Sequence, residues 1–474
     1  MDYKEKYLKY KNKYLQLKNQ IGSAQEATVY EILNDKSNPR RFLYIYLESK
    51  CNNKENINKI KNYLANYKGF FSLNNNLLGN INSFLRHTFK NKESLKNAIK
   101  KNKFGPISLW DVSNVTDMSN LFFRARTFNH PINDWDVSNV TNMRNMFFNA
   151  ESFNQPINDW NVSNVTDMDG MFSHTSVFNQ PINDWDVSNV KNMRNMFFNA
   201  YKFNQPINNW NVSNVTDMNS MFFGTSIFNQ PIGDWDISNV KNISFMFCRC
   251  KKFNQLINIW NVSNITNMSN LFNSTNDFNQ PIGDWNVSNV TTLANMFENA
   301  RIFNQPIGDW NVSNVENMEF MFFNARIFNQ PIDDWNVSNV TNMKSMFEDA
   351  KYFNQPLNSW NVSNVNNTYK MFENASAFNQ NITSWNTSSV TNMGYMFYDA
   401  ISFNQSIGKW DVSNVKNMEV MFYNASIFNQ SLDTWNVSNV TYMESMFYNA
   451  INFDNIKNAP WFKQNDNEII FDDL

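Results

Sequence analysis

The chain holds three cysteines in 474 residues, Cys51, Cys248 and Cys250. So small and odd a number excludes a disulfide framework and fits a reducing compartment, or indifference to redox. Histidine is as scarce: His87, His130 and His174 have no partner at a recognisable catalytic or ligating spacing. Neither sign of charge dominates, with 40 Lys plus Arg against 42 Asp plus Glu and a net charge of −2. Nucleic-acid binding needs clustered basic charge to displace counterions, so no nucleic acid is expected as a partner. No apolar run approaches the roughly 20 residues that span a bilayer. The opening MDYKEKYLKYKNKYLQLKNQIG has lysines but neither the apolar stretch nor the cleavage site of a secretory signal. The reading is a protein without a membrane span that is not secreted by a signal peptide.

What the sequence has in abundance is one string. FNQPINDWDVSNVKNMRNMFFNA, residues 178–200, recurs with small changes along most of the chain. Tryptophan sets the ruler: from Trp110, through Trp135, Trp160 and Trp185, to Trp435 the step is 25 without a slip, giving fourteen units. Trp461 follows one residue late. A fixed period of this length marks a solenoid, whose units bury their apolar faces against their neighbours.

Two local periods coexist in each unit. Around Trp185 and Val187 apolar residues alternate, as a half-buried strand requires. Met193, Met196, Phe197 and Ala200 fall at i, i+3, i+4 and i+7, the stripe of a short helix. Ser188, Asn189 and Asn192 lie between them, residue types that suit turns and helix starts. The expected unit is a strand, a turn, a two-turn helix and a return: an α/β repeat solenoid. Helices this short depend on packing. Burial of Ile182, Trp185, Val187, Val190, Met193, Met196 and Phe197 would contribute roughly 1.5–3 kcal/mol each before ordering costs. At a ladder spacing of about 4.8 Å, fourteen units would extend on the order of 65 Å. The recurring amides, Asn179, Gln180 and the Asn189 column with Ser389 as its exception, suit backbone groups in the bends of adjacent coils.

WDVSNVTNMxxMFxxAxxFNQPI resembles the 25-residue unit of BspA-like leucine-rich-repeat surface proteins, also found in mycoplasma lipoproteins of unassigned function. ESLKNAIKKNKFGPISLWDVSNVTDMSNLF, residues 93–122, is similar to that family's lead-in, a helix followed by the first repeat. The resemblance covers about residues 93–460. It implies a right-handed leucine-rich-repeat-like coil and a role in adhesion or protein binding, without enzymatic activity. The segment KYLKYKNKYLQLKNQIG resembles a leader of giant amoeba-virus (mimivirus-type) proteins. That likeness implies a viral protein residing in host-cell cytoplasm or virion.

Outside the repeats, Tyr3, Tyr7, Tyr10, Tyr14, Leu17 and Ile21 follow the 4-3-4-3-4 spacing of a coiled-coil seam. Residues 1–22 are therefore expected to self-associate, to dock on the following region, or to remain a solvated helix. Residues 24–104 do not repeat and read as a mostly helical domain and cap, with Ser94 as N-cap of the helix that leads into the coils. The repeats run over 105–452, and 453–474 form a degenerate cap with an acidic tail.

No catalytic constellation, metal set or cofactor motif is present. CRC, Cys248 to Cys250, is a poor metal signature, and the methionine columns read as core packing. Two surface columns remain as binding candidates. Beside the tryptophans stand Asp134, Asp159, Asp184, Asp234, Asp284, Asp309 and Asp334, with Asp136, Asp186 and Asp236 across their own Trp. They form either a solvated acidic face or a site for a basic partner. The residue after the core Phe is aromatic at Phe123, Phe148, Phe198, Phe223, Phe323, Tyr398, Tyr423 and Tyr448. This column is either an exposed patch or a half-buried stack between coils. The expected function is a non-enzymatic repeat scaffold for protein binding, host interaction included. The alternative is a structural assembly protein, homo-oligomeric through the N-terminal helix.

Overall fold

The computed structural model describes residues 87–101 and 107–462. The expected coiled-coil seam, most of the expected helical region 24–104 and the acidic tail lie outside the described residues. The chain divides into two compact units. One holds the described residues up to Val115 with His130–Asn139; the other holds Thr116–Asn129 and the described residues from Val140 on.

In the first unit, strand β1 (His87–Thr88) pairs in parallel with β2 (Trp110–Asp111), His87 opposite Trp110. Helix α1 (Lys92–Lys101) lies between them in sequence and buries Leu95 and Ala98. Its cap is Asn91, not Ser94. Asn91 Oδ1 accepts the Ser94 backbone N–H at 3.0 Å, and Ser94 Oγ donates to the Asn91 carbonyl at 2.7 Å. Both residues are of capping type and stand three apart, so sequence alone placed the helix start one box-length too late. A short 3-10 turn, Ile107–Leu109, precedes β2. The Ile107 carbonyl accepts from Trp135 Nε1 at 2.9 Å.

The second unit is a solenoid, but its coils are not built as expected. Among the described residues, the MxxMFxxA segments are runs of tight turns, not helices. The contact between successive coils is one parallel bridge at the residue before the first Met, from Asp117–Asn142 to Asn417–Tyr442. It does not fall at the tryptophan. Around that bridge runs a ladder of alternating bonds. The N–H groups of Met143, Asn145, Phe147 and Asn149 donate to Asp167, Asp169, Met171 and Ser173 in the next coil, at 2.7–2.9 Å. The N–H groups of Met146, Phe148 and Ala150 close turns on Met143, Asn145 and Phe147 of their own coil, at 2.9–3.1 Å.

The reason is hydrogen-bond satisfaction. A two-turn helix leaves its first four N–H groups without intrahelical partners, whereas this ladder gives each second N–H to a neighbouring coil. The geometry needs left-handed backbone at fixed places, such as Asn145 (φ 52) and Asn149 (φ 56). The Asn149 column is Asn, Asp, Gly, Ser or His in twelve of fourteen coils, the types that tolerate positive φ best. Turns three and four residues long return side chains to one side as a helix does. The apolar stripe therefore could not separate the two.

The core is otherwise the one the period demanded. Ile182, Trp185, Val187, Val190, Met193, Met196, Phe197, Ala200 and Phe203 are buried, as are their counterparts in most coils. Phe172 stacks on Phe178 at 4.1 Å and on Phe197 at 5.7 Å. The amide columns tie coil to coil. Asn204 Oδ1 accepts the Asn229 N–H at 2.9 Å and Gln230 Nε2 at 3.0 Å. Asn364 Nδ2 donates to the Ser338 carbonyl at 2.7 Å, and the exceptional Ser389 reaches the matching Ser363 carbonyl through its hydroxyl at 2.6 Å. At the C-terminal end, α2 (Asn455–Asn458) closes the stack, and the displaced Trp461 stacks on Trp435 at 6.1 Å.

Candidate interaction surface

The ladder has an inner and an outer side. Met143, Met146, Phe147 and Ala150 point inward and are buried, while Arg144, Asn145, Phe148 and Asn149 stay half-buried or exposed. The outer side therefore takes four positions from every coil, some of them buried, as Asp169, Ser173 and Glu373 are. The rings of the aromatic column lie here, both stacked and accessible. Phe123 lies on Phe148 at 4.8 Å, Phe198 on Phe223 at 4.5 Å, Tyr398 on Tyr423 at 4.9 Å and Tyr423 on Tyr448 at 4.9 Å. His174 fills the gap between Phe148 (5.4 Å) and Phe198 (5.2 Å). Its Nδ1 pairs with Ser173 Oγ at 3.0 Å and its Nε2 with Asn199 Nδ2 at 3.2 Å, while burial pushes its pKa down. Only the two ends stand open, Phe123 at 39% and Tyr448 at 41% exposure.

Charged heads lie over rings of this column and of the neighbouring Asn145 column, which holds Phe320 and Tyr395. Arg124 sits 5.2 Å from the Phe123 centroid and Arg249 5.5 Å from that of Phe223. Lys344 covers Phe320 at 5.1 Å, and Lys370 covers Tyr395 at 5.0 Å. Phe320 meets Phe323 edge-on at 5.9 Å. Lys370 also reaches Glu373 at 3.0 Å and Glu348 at 3.8 Å. Burial, with the charge of Glu348 beside it, pushes the Glu373 carboxyl up to about 7 against the pull of Lys370. Burial raises Glu348 as well. Sequence reasoning missed this cluster, because its members sit in columns that vary from coil to coil and no motif marks them.

The aspartates beside the tryptophans divide by position. Asp134, Asp159, Asp184, Asp234, Asp284, Asp309 and Asp334 are exposed. They stand in a tight turn, closed in the case of Asp184 by the Trp185 N–H on the Ile182 carbonyl at 3.3 Å. Asp136, Asp186 and Asp236 are turn-formers. Asp136 Oδ1 accepts the Ser138 hydroxyl at 2.6 Å, and Asp186 and Asp236 each accept a serine N–H at 3.0 Å. Hydrogen bonds from Ser188 and Ser238 hold Asp186 and Asp236 below the usual carboxylate range. These carboxylates therefore serve the backbone first, as Asn161 does in its own coil.

Among the described residues no group of three or more His, Cys, Asp or Glu could hold a metal ion. Cys250 is fully buried in the small-residue column, where its thiol lies 2.9 Å from the Phe222 carbonyl. Burial pushes Cys248 up to about 12 and Cys250 well above the normal thiol range, so neither is a ready nucleophile. No described helix is long and apolar enough to cross a membrane.

The family model for a Mycoplasma protein of unknown function, DUF285, matches residues 83–200, 180–280, 255–360 and 350–461. The chain belongs to this family. Among solved structures it is similar to a leucine-rich repeat protein from Eubacterium ventriosum ATCC 27560. Identity is 13%, over 74% of this chain and 89% of that one, with a TM-score of 0.37. It is also similar to TLR13 in its complex with ssRNA13, at 10% identity over 80% of this chain and 51% of that one, with a TM-score of 0.24. No curated protein matches it.

Proposed function

We propose that the chain is a non-enzymatic repeat scaffold that binds protein, and that the outer side of the turn ladder is its contact surface. One observation carries this. The aromatic column is not needed to close the coils, because the ladder's backbone bonds form equally where the column holds Ser173 or Asn273. Rings kept half-exposed at places where serine or asparagine suffices for the fold are suited to contact, and aromatic side chains and arginine are the types enriched in protein interfaces. The Trp-flanking aspartates are the weaker candidate, since part of that set is used up in turns.

The test is capture from a lysate of the native host, with mass spectrometry. Phe148→Asn with Phe198→Asn, substitutions the column already contains, should abolish the captured protein while leaving thermal unfolding within a few degrees. Capture that survives these changes but is lost with Asp184→Asn and Asp234→Asn would move the site to the aspartates. The alternative, an assembly subunit of a viral particle or layer, is supported by the heptad spacing of Tyr3 to Ile21. An oligomer that becomes a monomer when residues 1–22 are removed would favour it.

A further inference from the structure

The outer ladder columns are polarised along the chain. From the coil of Phe123 to the coil of Arg249, their charged residues are Arg124, Arg144, Arg194 and Arg249 against one carboxylate, Asp169. Arg144 already holds that carboxylate at 3.2 Å. The next coil is uncharged at these places, with Ser269, Asn270, Asn273 and Ser274. From the coil of Glu298 to that of Tyr448 the same columns carry eight carboxylates, Glu419 and Glu444 the last of them, against Lys344 and Lys370. The four arginines of the first group are exposed, and aromatic rings accompany both groups.

We propose that this face pairs with the same face of a second copy, antiparallel, so that the first coils of each chain meet the last coils of the other. The proposal rests on the outer ladder being a contact surface and names its partner. An interface made by one patch on both subunits must be self-complementary. A two-fold axis across this face exchanges its ends and so sets arginine against carboxylate, whereas a parallel pairing would set arginine on arginine. Arg124 and Arg144, beside Phe123 and Phe148, then face Glu419 and Glu444, beside Tyr423 and Tyr448. The contact is made twice by symmetry. The two most accessible rings of the column, Phe123 and Tyr448, are at the ends that come together. The carboxylate-rich coils carry eight carboxylates against two lysines, an excess of negative charge on this face. A cationic partner surface offsets that excess.

The test is sedimentation of the full chain at tens of micromolar. The wild-type protein should be a dimer at low salt whose dissociation constant rises with ionic strength. Arg124→Asp with Arg144→Asn reverses the basic end; Asp349 and Asn219 already occupy those columns. Glu419→Arg with Glu444→Lys reverses the acidic end; Arg194 and Lys344 are the precedents. Each double variant alone should dimerise at least about tenfold more weakly. Mixed one to one, the two should restore a heterodimer, which variants that merely failed to fold could not do. A wild-type monomer at low salt, variants that remain as oligomeric as the parent, or a mixture that stays monomeric overturns the proposal. A monomer whose lysate capture still depends on Phe148 and Phe198 leaves the scaffold reading standing with a different partner. Capture indifferent to those rings removes that reading independently.

Discussion

Trp185 donates its indole Nε1 to the Ile157 carbonyl of the preceding coil at 3.0 Å, with its ring parallel to that of Trp160 at 6.5 Å. The same bond recurs to the last complete coil, where Trp435 reaches the Ile407 carbonyl at 3.2 Å. The indole thus does two things at one place: it fills the core, and it gives the Ile157 carbonyl, which closes a turn with the Trp160 N–H at 3.2 Å, a second donor from the next coil.

Trp185→Phe should separate these roles. It keeps an aromatic ring but leaves the Ile157 carbonyl with the Trp160 N–H alone, at 3.2 Å, and opens a void. The expected loss is about 2–4 kcal/mol in urea unfolding, concentrated in the adjacent coils. A loss under half a kcal/mol would mean that water or a neighbour replaces the indole.

Asn204 takes two donors from the next coil, so Asn204→Ala should cost about 1–3 kcal/mol. Asn204→Asp retains the accepting oxygen and should cost markedly less; the same column ends in Asp454. Equal losses for both variants, measured by chemical denaturation, would show that the carboxamide nitrogen is the group that matters.

Val420 holds φ 45 in a column where most other coils place Asn, Gly or Ser. A β-branched residue is disfavoured in left-handed backbone. Val420→Asn should therefore raise stability by about 1 kcal/mol, read as a higher melting temperature. A lower melting temperature would instead show that the valine methyl groups are held by packing worth more than the strain.

Glu373 supplies a pH dependence whose sign is fixed. Its folded-state pKa of about 7 lies above the ordinary 4.5, so the folded chain binds more protons between those values. Its stabilising contribution is complete below about pH 4.5 and is lost as pH rises through 7. The change amounts to about 1–2 kcal/mol once solvent screening is allowed for. Glu373→Gln should flatten this slope in melting curves taken from pH 5 to 8. An unchanged slope would assign it to other groups, Glu348 first.

Much of the molecule was legible in advance for a definite reason. The period of 25, the buried columns and the amide ladders are all read from which residue types repeat, and burial follows type closely when every coil has the same neighbours. Asn204 and Ser389 behave as their chemistry predicts. The helix over Met193–Ala200 was misread because its stripe is shared by a row of turns, and the deciding signal lay in the adjacent Asn149 column. The strand beside Trp185 was misread because alternation reports which side faces in, not which backbone groups pair.

The sequence by itself determined the repeat, the membership of the core and the need for neighbouring coils to complete one another. Identical apolar residues at identical places can be buried only by each other. Tertiary structure alone decided where the coils hydrogen-bond, and that Lys370, Glu373 and Glu348 share one site. Those depend on distances between groups 22 to 25 residues apart, and the path of the coil, not the order of the residues, sets such distances.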